Sequence, residues 1–366
     1  MRAKVAKSVA LHALRHIAPF RARLSKPVLE CVKLSAEGDI LQLEMTDLED
    51  WCQIRTGAEV DEPGVALVPL GTLTSAVQEM DGLIELSTRE TTLLLTDESS
   101  EIELATWDPA EYPSMPEITE TLCLAIHGLD LRRLIDSVWY ACEPASGSVT
   151  CSGILLEHDG AWLRAVATDG RRMAIARVPA GSDASEQWTS VIVHGQGLHR
   201  LSKLLAAQPT ELAITRTTVF IVAACPAYTV WVRRLEGRYV EWQRIVPTSQ
   251  PIAMFNVPFE DLAAAIRRAA VVLREPAEPV RLELTAGCLA ISAESPIGKT
   301  WVTLPVNVMH GQDAVVWIRP RFLLDALRPL SAGIQVSIYG PRQPVVLQTE
   351  SYQSLIMPVA REESTT

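Results

Sequence analysis

The sequence predicts an α+β fold made of three tandem repeats of one unit, with helices packed on antiparallel sheets. The first observation is a strand, a break and a Leu-rich helix that recur at a spacing of about 120 residues. The second is apolar periodicity that alternates along the chain between a helical and a strand period. Polar or Pro-containing segments at 117–124 and 247–252 separate the copies, which predicts domains at 1–120, 121–249 and 250–366.

Two strand-centred patterns define each repeat. The strand–break–helix pattern occupies Val65–Val77, Val191–Leu205 and Val315–Leu327. A strand that ends in a small turn precedes it, at Leu41–Asp47, Leu163–Asp169 and Leu289–Glu294. In the first of these strands, apolar Leu41, Leu43 and Met45 alternate with polar residues, as expected when one face of a sheet is buried.

An earlier helix completes each repeat. The predicted helices are Lys7–Ala18, Leu129–Cys142 and Phe259–Arg274. In the third, an apolar stripe falls at the helical spacing, formed by Leu262, Ile266, Ala269, Ala270 and Leu273. Acidic residues begin this helix and Arg274 ends it, so both charges complement the helix dipole.

Composition excludes several classes of protein. The seven cysteines are scattered and never spaced C-x-x-C, which predicts a reducing cytoplasm and neither a disulfide framework nor a zinc site. No apolar run reaches the roughly 18 residues of a membrane span, so we expect no membrane partner.

The sequence also lacks a convincing catalytic or cofactor-binding constellation. Asp169 and His158 form no positioned acid–base pair, and an Asp in a T-D-G sequence usually caps its own turn. His194–Gly197 lacks the Lys-Ser/Thr ending of a phosphate-binding loop. We therefore predict a protein that is not an enzyme and holds no metal or cofactor.

Charge is distributed unevenly, although the net charge of −11 alone argues against a nucleic-acid ligand. The six predicted helices together carry +6, which leaves −17 on the rest of the chain. A basic helix surface on an acidic body suits a phosphate backbone contacted without sequence readout. The alternative is that these are ordinary solvated helix faces. The candidate DNA-facing residues on the helices are Arg15, Arg132, Arg133, Arg200, Lys203, Arg267, Arg268 and Arg321.

The width of a helix limits how such a surface could surround a duplex. Six helices side by side, each about 10 Å wide, would line a ring with a free opening of only about 9 Å. Twelve helices from two chains would leave about 28 Å, and a duplex is about 20 Å wide. A head-to-tail pair of chains could therefore encircle DNA, whereas a single chain could not.

Several segments, in order along the whole chain, resemble those of the bacterial sliding clamp, the beta subunit of DNA polymerase III. Thr168–Ala174 (TDGRRMA) resembles the clamp signature T-D-G-H-R-L-A, and Glu236–Pro247 resembles D-G-x-F-P-D-Y-x-R-V-x-P. Leu355–Val359 resembles the C-terminal V-M-P ending. Pro27–Leu29 and Trp107–Pro113 resemble two further clamp segments.

The resemblance implies a ring-forming homodimer that encircles double-stranded DNA and tethers the replicative polymerase. A clamp loader opens the ring with ATP, and the clamp itself does no chemistry. Other proteins with a clamp-binding motif use the same pocket. An alternative is a non-replicative paralogue of the same fold, which would present the pocket to repair or mobile-element proteins without stable DNA encirclement.

The resemblance also implies a pocket for an apolar partner peptide, between the second and third domains. The matching residues are Cys151, Thr168, Gly170, Arg171, Arg172, Met173, Val240, Arg244, Ile245, Phe322, Leu355, Met357, Pro358 and Val359. The alternative is that Met357–Val359 merely ends an edge strand and that Thr168–Gly170 is only a turn.

This chain departs from the clamp pattern at several positions. Cys151, Arg171, Val240 and Phe322 stand where Leu, His, Pro and Tyr are usual, which would shift the peptide preference. Arg23 matches a DNA-contacting basic residue of the family, whereas the loop Ala145–Thr150 has no Arg, Tyr or Gln for that role.

Overall fold

The structure is a computed structural model, and its described residues form two compact units. The described residues are 1–22, 26–117, 122–180, 190–205, 211–217, 219–275, 277–311 and 313–360. At 122–123 and 211–216, only the backbone is described. The first unit contains the described residues of 1–132 and 196–234, and the second contains those of 133–180, 190–195 and 235–360. Arg23, a candidate DNA contact, lies outside the described residues.

The helices are short and amphipathic. They are α1 (Lys7–Ile17), α2 (Leu70–Glu79), α3 (Gly128–Val138), α4 (Val149–Ser152), α5 (Gly195–Leu204), α6 (Phe259–Ala269) and α7 (Pro320–Leu327). Helix α6 buries Leu262, Ile266 and Ala269 as its periodicity predicts, and acidic residues lie in its first turn. It ends at Ala269 and not at the predicted Arg274, because a 3-10 turn follows over Ala270–Val272, so the arginines of its last turn are Arg267 and Arg268. None of the described helices is long and apolar enough to cross a membrane.

The strands follow the predicted repeat. The first copy contains β1 (Arg2–Ala6), β2 (Cys31–Glu37), β3 (Ile40–Thr46), β4 (Trp51–Gly57), β5 (Glu59–Glu62), β6 (Gly64–Pro69), β7 (Leu83–Arg89), β8 (Thr92–Thr96) and β9 (Glu101–Ala105). The second contains β10 (Leu122–His127), β11 (Gly153–His158), β12 (Trp162–Thr168), β13 (Arg172–Pro179), β14 (Ser190–His194), β15 (Glu211–Arg216), β16 (Phe220–Ala224) and β17 (Tyr228–Arg233). The third contains β18 (Ala253–Pro258), β19 (Val280–Thr285), β20 (Cys288–Ser295), β21 (Gly298–Pro305), β22 (Asn307–Gly311), β23 (Ala314–Ile318), β24 (Gly333–Ile338), β25 (Val345–Gln348) and β26 (Tyr352–Ile356).

These strands form four antiparallel sheets, two in each unit. In the first unit, sheet A has the order β5-β1-β7-β8-β9 and sheet B has the order β10-β15-β16-β17-β4-β3-β2-β6. In the second, sheet C has the order β14-β11-β12-β13-β26-β25-β24-β18-β22 and sheet D has the order β21-β20-β19-β23.

Neighbouring repeats share a sheet. Strand β17 of the second copy pairs with β4 of the first in sheet B, and β26 of the third pairs with β13 of the second in sheet C. The middle copy therefore contributes strands to both compact units, which is why the chain divides into two units rather than three. The domain boundaries near residues 120 and 249 stay a prediction.

Helices α1 and α6 each pack on a second helix and on a sheet. Helix α1 packs on α2 and on β3 and β4, and α6 packs on α7 and on β20 and β21. In the second unit, the core beneath these helices contains Phe255, Ile266, Leu289, Ile291 and Leu323, all nearly inaccessible to solvent. Met173 and Leu355 of sheet C belong to a separate buried cluster, against which Val149 of α4 packs.

Candidate functional site

The junction between β13 and β26 brings together the T-D-G segment Thr168–Ala174 and the C-terminal segment Leu355–Val359. Met173 lies opposite Leu355 and Arg172 lies opposite Ile356 in the antiparallel register. The backbone N–H of Met357 donates to the Arg171 carbonyl at 3.0 Å, which extends this contact beyond the strand. The T-D-G segment and the C-terminal Met-Pro segment therefore form one continuous surface.

A tight turn at Thr168–Arg172 forms one edge of that surface. The Thr168 hydroxyl donates to the Arg172 carbonyl at 2.7 Å, and Gly170 has a φ of +82°, a conformation that favours glycine. Asp169 Oδ1 accepts hydrogen bonds from the backbone N–H groups of Arg171 and Arg172, each at 3.0 Å. Asp169 thus holds the turn, as the T-D-G sequence predicts, and its carboxylate is occupied by these donors.

An apolar floor lies between the turn and β26. It is a buried cluster of Leu155, Val166, Met173, Ile175, Ile192, Val346 and Leu355. Half-buried side chains that include Val240, Tyr239 and Trp242 pack against it. Met173, Leu355 and Val240 were selected from sequence. The other floor residues and Trp242 were missed, although Ile175 could have been found because it is two residues from Met173 on the same strand face.

Arg172 is a buried support of the site rather than part of an exposed rim. Its Nε donates to Asp169 Oδ2 at 2.9 Å and its Nη1 donates to Asp325 Oδ2 at 2.7 Å. Its guanidinium carbon lies 4.5 Å from the centre of the Phe322 ring and 5.2 Å from that of Tyr140. Arg172 therefore fixes the turn to helix α7, and Phe322 covers the guanidinium.

A network of tyrosine hydroxyls continues this support. The hydroxyls of Tyr140 and Tyr352 lie 2.6 Å apart, and Tyr140 also donates to Ser354 Oγ at 2.8 Å. Tyr352 donates to the Ala326 carbonyl of α7 at 2.8 Å. Burial raises the pKa of Tyr140 to about 12 and raises that of Tyr352 well above its ordinary value. Both hydroxyls therefore stay protonated at neutral pH and keep their hydrogen bonds.

Exposed residues surround the floor. Met357 and Ile245 are about two-fifths exposed, and Arg171 and Arg244 are exposed. Arg244 pairs with Glu241 at 2.8 Å. Gly170 is exposed, and Pro358 and Val359 are half-buried. An apolar floor with exposed apolar and guanidinium groups at its margin can bind apolar side chains and a peptide backbone.

Cys151 lies on the short helix α4, of which Val149 packs against the floor. The pKa of Tyr239 is raised far above its usual range, mainly by burial and to a smaller extent by the Cys142 and Cys151 thiols. The Tyr239 hydroxyl donates to the Val166 carbonyl at 3.0 Å, so the ring is held against the floor.

Among the described residues, no group of three or more His, Cys, Asp and Glu side chains is placed to hold a metal ion.

The candidate DNA-facing residues are not equivalent. The exposed ones are Arg15, Arg133, Lys203, Arg267, Arg268 and Arg321, and Arg132 is half-buried. Arg200 differs, because its Nη1 lies 2.5 Å from Asp47 Oδ2 and 3.0 Å from the fully buried Asp50 Oδ2. These ion pairs occupy the guanidinium, so we do not retain Arg200 as a DNA contact.

Comparison with known proteins identifies the family. Models of the N-terminal, central and C-terminal domains of the DNA polymerase III beta subunit match residues 1–116, 125–241 and 243–360. The beta sliding clamp of Pseudomonas aeruginosa is 31% identical over 308 residues, which are 83% of each chain. The chain belongs to the DNA polymerase III beta subunit family. The beta sliding clamp of Bacillus subtilis is 25% identical over 358 residues, 92% of this chain and 93% of the relative.

Solved structures of this family agree with the fold. The DNA polymerase III beta subunit of P. aeruginosa superposes with a TM-score of 0.91 at 26% identity, covering 99% of this chain and 100% of that chain. The sliding clamp of B. subtilis superposes with a TM-score of 0.93 at 22% identity and the same coverage. The predicted three-repeat α+β clamp fold is confirmed.

Proposed function

We propose that this chain is a processivity clamp, which closes as a head-to-tail homodimer around duplex DNA and tethers the replicative polymerase. The names of its relatives favour this role over that of a non-replicative adaptor. A clamp needs no chemistry of its own, because ring closure prevents escape while weak phosphate contacts permit sliding. The scattered cysteines, of which the six with described side chains are free thiols, support a cytoplasmic location.

The observation that carries this proposal is a pair of matching sheet edges. At each junction inside the chain, the last strand of one repeat pairs with a strand of the preceding repeat: β17 pairs with β4, and β26 pairs with β13. Strands β4 and β13 occupy equivalent places in their repeats. The last strand of the first repeat is β9, and the strand of the third repeat that is equivalent to β4 and β13 is β21. They are edge strands of sheets A and D. Pairing β9 of one copy with β21 of a second copy repeats the internal junction and closes a head-to-tail ring.

The internal junctions also predict the register of this contact. In each repeat, two hairpins have a pair of opposed residues that encloses a four-residue connection. In the first of the two, the pairs are Thr46–Trp51, Thr168–Met173 and Glu294–Lys299. In the last hairpin, they are Thr96–Glu101, Ala224–Thr229 and Gln348–Gln353. Inside the chain, Trp51 lies opposite Trp231 and Met173 lies opposite Leu355. The equivalent pair between two copies is Lys299 opposite Glu103, which joins opposite charges.

Side chains near these edges support an interface. Val271, Ile297 and Trp301 of the second unit are 73%, 53% and 63% exposed. Apolar residues clustered beside an open strand edge mark an interaction surface, because an unpaired edge is otherwise prone to aggregation. Lys299 pairs with Glu294 in this structure, but both side chains are largely exposed, so that pair is easily exchanged.

The DNA and protein contacts of the ring are assigned to two other surfaces. We assign sequence-independent phosphate contacts to Arg15, Arg132, Arg133, Lys203, Arg267, Arg268 and Arg321. We assign the apolar floor and its margin to a short apolar peptide of the polymerase, the clamp loader and other clamp-binding proteins.

Charge reversal at the proposed contact tests the ring. The wild-type chain of 40.1 kDa should sediment as a dimer at micromolar concentration. Glu103→Lys and Lys299→Glu each place like charges opposite one another at both junctions, and should weaken the dimer about tenfold or more. An equimolar mixture of the two variants should restore dimers, because both junctions of the heterodimer then join opposite charges.

Glu79→Lys, an exposed reversal on α2, is the control and should sediment like the wild type. A wild-type monomer would argue against the ring. Single variants that dimerise normally, or a mixture that restores nothing, would refute the proposed register.

A further inference from the structure

A polar groove continues the apolar floor along the same face of sheet C. Its cavity of about 270 Å³ is lined by residues that include Arg164, Ile175, Arg177, Trp242, Gln348 and Gln353. Ile175 and Trp242 belong to both features, because they line the groove and also pack in or against the floor. The groove and the floor are therefore one continuous surface of the second unit.

The spacing between floor and groove follows from strand geometry. Met173, Ile175 and Arg177 are alternate residues of β13, so their side chains lie on one face. Each two-residue step is about 6.6 Å, so Arg177 is about 13 Å from Met173 along the strand. An extended peptide covers that distance in about four residues.

The groove places two guanidinium groups side by side. Arg164 and Arg177 lie directly opposite each other on β12 and β13, an arrangement of like charges that weakens a sheet. Arg164 lies over the Trp242 ring at 5.5 Å and Arg177 over the Trp162 ring at 4.7 Å, so both are held at the surface by indoles.

Only one of these two cations has a carboxylate partner among the described residues. Arg164 Nη1 lies 3.4 Å from Glu157 Oε2. Arg177 donates to the backbone carbonyl of Glu350 at 3.2 Å and makes no ion pair in the described part of the chain. Among the described residues, Arg177 is therefore a guanidinium without an ion pair beside an apolar site. Glu350 also lines the groove, but it contacts Arg177 through its backbone carbonyl and not through its carboxylate.

We propose that this groove binds a carboxylate of the partner peptide, on an acidic residue about four positions from the residue that fills the apolar floor. This inference rests on the proposed peptide-binding function and specifies its preferred ligand. Guanidinium groups recognise carboxylates by paired hydrogen bonds, and the amides of Gln348 and Gln353 line the same groove. Continuity with an apolar floor favours a peptide over a nucleic-acid strand, because a phosphate backbone offers no apolar anchor.

Fluorescence anisotropy with synthetic peptides tests this proposal. Each peptide carries a Leu-Phe anchor, and an Asp or an Asn stands four residues before or four residues after it. One of the two Asp peptides should bind about five- to tenfold more tightly than its Asn counterpart. Added salt should reduce this advantage. Moving the Asp next to the anchor should also reduce it, because the carboxylate then falls short of Arg177.

Variants of the chain assign the effect to the groove. Arg177→Gln should abolish the Asp advantage and leave the affinity of the Asn peptide unchanged. Arg177→Glu should instead favour a peptide with Lys at the same position. Arg238→Gln is the matched control, because Arg238 lies in the same unit but is 92% exposed and outside the groove.

The peptide measurements distinguish a failure of the groove inference from a failure of the apolar pocket. If the Asn peptide binds and neither Asp peptide binds better, the groove inference is wrong and the apolar pocket stands. If no peptide binds, the pocket is wrong and the inference fails with it. If a single-stranded oligonucleotide binds in an Arg177-dependent manner while Asp gives no advantage, the groove recognises nucleic acid and not an acidic peptide.

Discussion

Arg172→Ala is expected to lower the free energy of unfolding of the second unit by about 3–5 kcal/mol, the usual cost of removing one partner of a buried ion pair. The substitution removes the 2.7 Å partner of the buried Asp325 and a donor to Asp169. In the described part of the chain, Asp325 then keeps the largely exposed Arg328 at 3.1 Å and Arg321 at 3.7 Å. It also empties the space between the Phe322 and Tyr140 rings. Urea denaturation measures the loss, and hydrogen exchange should rise first in β13 and β26.

The neighbouring Arg171 provides the control for this prediction. Arg171 is exposed, so Arg171→Ala should change the stability by no more than about 0.5 kcal/mol. Arg172→Lys should fall between the two, because it keeps the charge but loses the planar group that lies over Phe322. Equal stabilities for Arg172→Ala and Arg171→Ala would show that the buried ion pairs contribute nothing.

Arg200→Ala is expected to destabilise the first unit by a similar amount, about 3–5 kcal/mol. Asp50 is fully buried and accepts from Arg200 at 3.0 Å and from the Arg233 backbone N–H at 3.1 Å. Without the guanidinium, a buried carboxylate keeps only part of its compensation. Denaturation is the measurement, and increased hydrogen exchange should appear at β4 and β17, which this ion pair adjoins.

Lys203→Ala on the same helix is the matched control for Arg200→Ala. Lys203 is exposed, so its removal should alter stability by less than about 0.5 kcal/mol. If Arg200→Ala is as stable as Lys203→Ala, Arg200 is not a structural residue and returns to the candidate DNA contacts.

The fold could be predicted from sequence because its signals are local and occur three times. Turns, caps and apolar stripes depend on residues close together in the chain, as in α6. The sharing of sheets was not predicted, since it depends on strands that are distant in sequence, such as β17 and β4. Nothing local to Tyr228–Arg233 indicates that it pairs with Trp51–Gly57.

The roles of individual arginines were the least predictable part of the site. Arg200 and Lys203 are three residues apart on one helix. Within the described ranges, Arg200 meets an acidic segment, 150 residues away at Asp50, and Lys203 meets none. The resemblance placed Arg172 in the pocket wall, but its burial depends on Asp325, 153 residues further on. Long-range pairing decides which charge is buried, and a helical period or a short motif carries no information about it.

The apolar floor shows the same limit. Motif positions led to Met173 and Leu355. Ile175 lies just outside the matched segment Thr168–Ala174, and Trp242 lies within the matched segment Glu236–Pro247 but was not assigned to the pocket. Ile175 follows from strand alternation once β13 is known. Trp242 follows only from the packing of its segment on sheet C.

A covalently closed ring on DNA tests the central claim most directly. The proposed register places Glu103 opposite Lys299 of the second copy, and Cα atoms of opposed residues in antiparallel strands lie about 4.5–5.5 Å apart, within disulfide range. A chain with Glu103→Cys and Lys299→Cys is assembled with closed circular duplex DNA and oxidised, with the wild-type chain as the control for native cysteines. DNA-bound protein is then measured at high salt before and after the circle is cut.

We expect the oxidised variant to stay on the circle at high salt, where phosphate contacts are lost, and to be released when the circle is cut. The wild-type chain should gain no salt-resistant binding on oxidation. If the cross-linked variant leaves circular and linear DNA equally, or if no cross-link forms between copies, the chain does not close around DNA through these two strands.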